Sequence, residues 1–186
     1  MHITVVNTDN AAAFEKRLQE LRQIQDLHRY VPNKEQHSGF LLTMTDASKL
    51  KSLLERGSRI YLAVEGADLA GYLIATPHQV VEDLVAASPE NTLSFDYQEE
   101  EVKAKEACFI YQIAVHPKYL RHQVGVILLD YIRKNESSRH LLAGIATFPS
   151  NNHVSVAFFK AYGFSRIGRM SVKGDGSKID TDLYLC

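Results

Sequence analysis

Cysteine is scarce in this chain: two in 186 residues, Cys108 inside an apolar run and Cys186 at the last position. Thiols so placed make no disulfide framework of the kind that staples small secreted domains, and no CxxC or Cys/His metal spacing accompanies them. Net charge is nearly absent as well, at −1. No global field therefore draws the protein onto nucleic acid or an anionic membrane, and any basic site has to be local. Long apolar runs are missing too, since none approaches the roughly 18–20 residues of a membrane span. The opening "MHITVVNTDN" has neither the basic nor the apolar region of a signal peptide. There is no internal repeat and no low-complexity tract. The expectation is a single cytoplasmic domain over 1–186, monomeric or homodimeric, with no metal, nucleic acid or membrane among its partners.

What is present is a succession of apolar periods. "HITVV" suggests a first strand, and Phe14, Leu18, Leu21, Ile24, Leu27 and Val31 recur at spacings of three and four, a helical stripe closed by Pro32. Asp46 is the expected N-cap of a helix "ASKLKSLLERG", with Gly57 at its end. "RIYLAVEGADLAGYLIATP" reads as a hairpin and "QVVEDLVAAS" as a short helix. The polar, acidic residues 88–106 read as a loop. "ACFIYQIAV" is a nearly continuous apolar strand, as expected where both sheet faces are covered. A helix from about Val124 to Arg133, the strand "LLAGIAT", a helix over about 152–162 ended by Gly163, and two strands around "KGDGSK" complete the chain. The order predicts an α/β fold, a mixed sheet with helices on both faces.

One stretch, "YQIAVHPKYLRHQVGVILLDYI", runs from a strand across a basic patch into a helix. The first four N–H groups of a helix have no internal partner, and its dipole adds about half a positive charge there. Such an opening suits an anion, usually phosphate. Lys118, Arg121 and His122 add basicity, and Gly125 leaves room for close backbone approach. Neither GxxxxGK[ST] nor GxGxxG is present. An ordinary cationic surface loop at a helix start is the alternative reading of this stretch alone.

Residues 107–164 resemble the core of the GNAT superfamily of N-acetyltransferases. That family's acetyl-CoA loop, Q/R-x-x-G-x-G/A after a strand ending in V-x-P, is similar to "AVHP" followed by "LRHQVG", with Gly125 as the second glycine. Downstream, "NHVSVAFFKAYGF" is similar to N-x-x-A-x-x-x-Y-x-x-x-G-F, with Asn152, Gly163 and Phe164 in register. The resemblance implies a mostly antiparallel twisted sheet of about seven strands, splayed between the fourth and fifth. It implies that Ile113, Ala114 and Val115 pair with pantetheine, Ala114 being the catalytic candidate because an N–H of this run polarises the thioester carbonyl. It implies that Arg121, His122, Gln123, Val124, Gly125 and Val126 hold the pyrophosphate, that Asn152 reaches the pantetheine arm and that Phe159 packs near the sulfur.

Three departures stand out. Leu120 replaces the motif's Gln or Arg, and Gln123 replaces its first glycine, which is tolerable if φ stays negative. Phe159 stands where the family's general-acid tyrosine usually sits, with Tyr162 three residues on. No carboxylate lies in "CFIYQIAV", so Tyr111, Glu106 and the acidic run Asp96–Glu101 are base candidates only by proximity in sequence. The implied activity is acetyl transfer from acetyl-CoA to a small-molecule or peptide amine, slowed by Phe159. An acyl-CoA-binding module with little turnover is the alternative.

Overall fold

A computed structural model of the chain describes residues 1–6, 11–32, 39–136, 140–174 and 177–186. Among them the elements run β1 (His2–Val5), α1 (Ala11–Leu27), α2 (Ala47–Glu55), β2 (Arg59–Glu65), β3 (Asp68–Pro77), α3 (His78–Ala86), β4 (Thr92–Phe95) and α4 (Gln98–Lys105). They continue with β5 (Ala107–Val115), a 3-10 turn (Pro117–Tyr119), α5 (Val124–Asn135), β6 (His140–Phe148), α6 (His153–Tyr162), β7 (Ser165–Gly174) and β8 (Ser177–Leu185). The strands form one sheet in the order β1-β2-β3-β5-β6-β8-β7-β4. Among the described pairs only β5 with β6 is parallel. Part of the expected turn "KGDGSK" lies outside the described residues.

Covering both faces explains the continuous apolar strands. In β2, Tyr61 and Ala63 pack with Leu128, Leu129 and Ile132 of α5, while Ile60, Leu62 and Val64 pack with Leu18, Leu21 and Ile24 of α1. Because successive side chains alternate between faces, a strand between two helical layers presents apolar residues on both faces over most of its length.

Two expectations are corrected. Residues 88–106 hold a strand and a helix in place of a loop. β4 pairs with β7 as the sheet's far edge, which makes eight strands where about seven were expected. Helix α4 buries only Ala104, so it carries no apolar stripe to read. Its ends stabilise it instead: Glu100 accepts the Tyr97 N–H at 3.1 Å, and Lys105 pairs with Glu101 at 2.8 Å. Helix α1 also ends at Leu27, not at Pro32. Leu27 and Val31 are exposed, so the last of the predicted stripe faces water.

The feature that positions the site is a parting of strands. β5 and β6 pair only from Ala107–Ile110 to His140–Ala143. Beyond Ile110, β5 follows β3 to Val115 and β6 follows β8 to Phe148, each pair carrying a register shift, at Ile74/Ala75 and Ala146/Phe148. Such irregularities raise local twist and help carry the two strands apart. They are the fourth and fifth strands of the sequence reading, renumbered by the added β4.

Candidate active site

A cavity of about 520 Å³ opens beside the parted strands, lined by Ile113, Ala114 and Val115 of β5, by Arg121 and Gln123–Val126, and by Phe158 and Phe159 of α6. A second cavity, of about 210 Å³, lies between Tyr111–Ile113 of β5 and Gly144–Ala146 of β6 and is bordered by Lys49 and Lys173. Five residues line both: Phe40, Leu41, Ile113, Ser155 and Phe159. The two spaces therefore meet where the strands diverge.

At the mouth of α5, Gln123 is the N-cap with φ 60°, makes no side-chain cap bond, and gives its carbonyl to the Ile127 N–H at 2.9 Å. The N–H groups of Val124, Gly125 and Val126 are thus left without helix partners. Arg121 also has a positive φ, 67°. The condition of a negative φ at Gln123 is not met: two non-glycine residues occupy the left-handed region, an uncommon conformation for a side-chain-bearing residue. Gly125 is glycine for a second reason as well, because a Cβ there would lie 2.9 Å from Phe158 Cζ. The missing side chain is therefore required by the packing of α6 on α5.

The basic patch is smaller than its sequence. Lys118 is paired with Asp68 at the start of β3 at 2.7 Å, and the lysine with the Tyr119 hydroxyl holds that carboxyl below its usual range. His122 is exposed, edge-on to Tyr119 at 6.1 Å, and does not line the cavity. Arg121 remains as the cation at the mouth.

Along β5 the ladder sorts the amides. The His116 N–H donates to Ala70 O at 2.9 Å. In an antiparallel pair the bonds to one neighbour recur at every second residue. Ala114, opposite Tyr72, therefore turns its N–H toward β3. The amides of Ile113 and Val115 face the opening.

His28 is a member of the site that the sequence did not announce. Its Nε2 lies 2.7 Å from Val115 O and its Nδ1 2.9 Å from Gly39 O, so the ring bridges the two carbonyls. The segment Gly39–Leu41 is in turn held on its far side, where Asn152 Nδ2 donates to Phe40 O at 3.0 Å. Asn152 is buried, and its Oδ1 accepts the Ser155 N–H at 3.3 Å as the N-cap of α6. Asn152 also borders the second cavity, and its two bonds leave one amide N–H and one oxygen lone pair free of these partners. A second tie joins β5 to α1: Gln112 Oε1 accepts from Gln25 Nε2 at 2.9 Å, and Gln112 Nε2 donates to Thr43 O at 2.8 Å. Each tie joins residues far apart in the chain, so no local pattern signals them.

Phe159 is buried between Phe158 and Phe164, with ring centroids at 5.2 and 4.9 Å. Tyr162 does not replace the missing hydroxyl. It donates to Asp130 at 2.7 Å, and burial, then the Asp130 carboxylate, pushes its phenol up to about 12. Tyr111 borders the second cavity, its ring 5.8 Å from Lys49 Nζ. Among the described residues no Asp or Glu lines either cavity. The acidic candidates lie elsewhere: Asp96 pairs with Arg166 at 2.5 Å, and Asp96 and Glu101 border a separate space beside His78. Glu106 closes α4. Among the described residues no group of three His, Cys, Asp or Glu is placed to hold a metal, and no helix is long and apolar enough to cross a membrane.

A profile described as "Acetyltransferase (GNAT) family" matches residues 18–164. No curated protein matches the chain. Among solved structures, smu.2055 from Streptococcus mutans UA159 is similar at a TM-score of 0.63 and 15% identity, with 100% of this chain and 98% of that one covered. A ribosomal-protein-alanine N-acetyltransferase from Brucella melitensis is similar at 0.59 and 15%, over 100% and 99% of the two chains. An aminoglycoside 6'-N-acetyltransferase, solved in complex with coenzyme A, is similar at 0.59 and 14%, over 100% and 96%. At these identities the likeness is one of fold.

Proposed function

The chain belongs to the acetyltransferase (GNAT) family, and on that premise we propose that it transfers the acetyl group of acetyl-CoA to a primary amine of a small molecule or peptide by direct attack. The observation that carries this reading is the parting of β5 from β6 after Ile110, with the larger cavity running from that gap to the mouth of α5. A long thin thioester fits such a path. Its diphosphate meets Arg121 and the free N–H groups of Val124–Val126, and its amide-bearing arm lies along the Ile113 and Val115 edge. An N–H on that edge stabilises negative charge on the thioester oxygen. The acceptor enters through the smaller cavity, and the reacting atoms meet at Ile113 and Phe159.

An amine with a pKa of about 10.4 is mostly protonated at neutral pH. Since among the described residues no carboxylate lines either cavity, water takes that proton or the amine arrives neutral. The rate kcat/KM should then climb with pH toward the acceptor's own pKa; a plateau well below it would reveal an enzymic base. The reading is tested by mixing the protein with acetyl-CoA and a panel of amines. Melting temperature follows binding and thiol release follows turnover. Coenzyme A at 100 times its Kd is expected to stabilise by about 2.7 kcal/mol. No shift at all refutes the binding path. A shift with no thiol release for any amine leaves a module that binds acyl-CoA without turning it over.

A further inference from the structure

Phe159 brings an aromatic ring without a hydroxyl to the point where the two cavities join. Of the five residues that line both, Phe40, Leu41, Ile113 and Phe159 are apolar and Ser155 alone carries a side-chain hydrogen-bonding group. Ser155 precedes Phe159 by four residues, so both stand on one face of α6, a turn apart. Its placement is fixed from two sides. The Ser155 N–H is held by Asn152 Oδ1, and a Cβ on Gly39 would lie 2.9 Å from Ser155 Oγ. Ser155 is half-buried, and among the described residues its hydroxyl has no protein partner.

We propose that Ser155 is the catalytic hydroxyl of this site, passing a proton from the attacking amine to the departing sulfur. The proposal rests on the acyl-transfer reading above. In the step, the amine lone pair forms the C–N bond and the carbonyl pair moves to oxygen. As C=O re-forms, the C–S bond breaks and its electron pair leaves on sulfur. The Ser155 hydroxyl gives its proton to that sulfur while taking one from the nitrogen, now positively charged. The products are an amide and a free thiol, and the serine ends as it began. A hydroxyl is donor and acceptor at once, so it relays the proton without persisting as an alkoxide. A thiol pKa near ~8.5 makes the thiolate a modest base, so the gain is that of ordinary general-acid help, about 10²–10⁴-fold.

Ser155→Ala is expected to lower kcat about 100-fold while both KM values and the coenzyme-A-induced rise in melting temperature match wild type. Adding Phe159→Tyr to that variant should recover at least tenfold, because a hydroxyl returns one turn along the same face. Gly39→Ala, which crowds Oγ without removing it, should also lower kcat. Ser155→Ala turning over within threefold of an active wild type overturns the proposal and leaves the acyl-transfer reading standing. A wild type that takes up coenzyme A but releases no thiol with any amine, or that takes up none, refutes that reading and the serine's role with it. A loss in Ser155→Ala that comes with a lost coenzyme A shift, and that Phe159→Tyr does not relieve, assigns the serine a structural role and also overturns the proposal.

Discussion

Gln123 holds φ at 60° at the entrance to α5, where a left-handed backbone costs a side-chain-bearing residue about 1–2 kcal/mol. Gln123→Gly would relieve that strain and give back about 0.4–1 kcal/mol through the greater freedom of the unfolded chain. The net expectation is a gain between about 0 and about 1.6 kcal/mol, read as a rise in Tm of about 2–4 °C per kcal/mol; a fall would contradict the left-handed assignment. The loop's resemblance to a glycine-bearing motif was legible in the sequence, but the reason for the glycine was not, because φ is set by the turn that Arg121–Gln123 makes between β5 and α5. Cys108 behaves more simply. Burial in β5 pushes its thiol up to about 12, so it stays protonated and shielded. A thiol reagent should label at most one cysteine, Cys186, in the native protein and two after unfolding. Rapid labelling of both in the native state would show that β5 opens.

At the scale of elements, legibility followed burial. The β2–β3 hairpin, β5, α5 and α6 each put apolar residues on faces that the sheet or its helices cover, so their periods could be read. β4 and α4 escaped because Thr92–Phe95 alternates between exposed and half-buried positions and α4 buries one alanine. Their structure comes from tertiary pairing. Gly168 is where that pairing is most exacting, since a Cβ on it would lie 2.2 Å from Ser94 O on β4. Gly168→Ala is expected to lower stability by about 1–3 kcal/mol by prising β4 from β7, seen as a lower denaturation midpoint and faster proteolysis within 88–106. An unchanged midpoint would mean β4 gives way without loss. His78, at the start of α3, supplies the pH dependence of this corner. Its buried ring has no hydrogen-bond partner on either nitrogen. Burial lowers its pKa, Glu82 opposes that and Lys105 adds to it, with Asp96 and Glu101 bordering the same space. The native ring resists a proton that the unfolded chain accepts near ~6.5. Its contribution to stability is therefore present above that pH and lost as pH falls below it. The drop in Tm between pH 7.5 and 5 should be smaller in His78→Gln than in wild type.

Across the whole molecule, the sheet is two halves, β1-β2-β3-β5 and β6-β8-β7-β4, joined in the ladder by four parallel residue pairs. Sequence resemblance indicated that a gap would open between these strands. It did not indicate what spans the gap, because His28, Gly39–Leu41, Asn152 and Ser155 come from three distant segments and carry no shared period. The halves are bridged there by His28 to Val115 and Gly39 and by Asn152 to Phe40. This arrangement makes a spatial prediction for amide exchange. Amides of β5 that face β6 within Ala107–Ile110 are in the ladder and should exchange slowly. Those of Ile113 and Val115 face the opening and should exchange faster, although they sit in the same strand. Coenzyme A should slow Ile113, Val115 and the N–H groups of Val124–Val126, and should leave the β7–β8 ladder as it was. Equal protection along all of β5 in the free protein would mean that the strands stay paired. Protection gained mainly on β7 and β8 would place the ligand on the other half of the sheet.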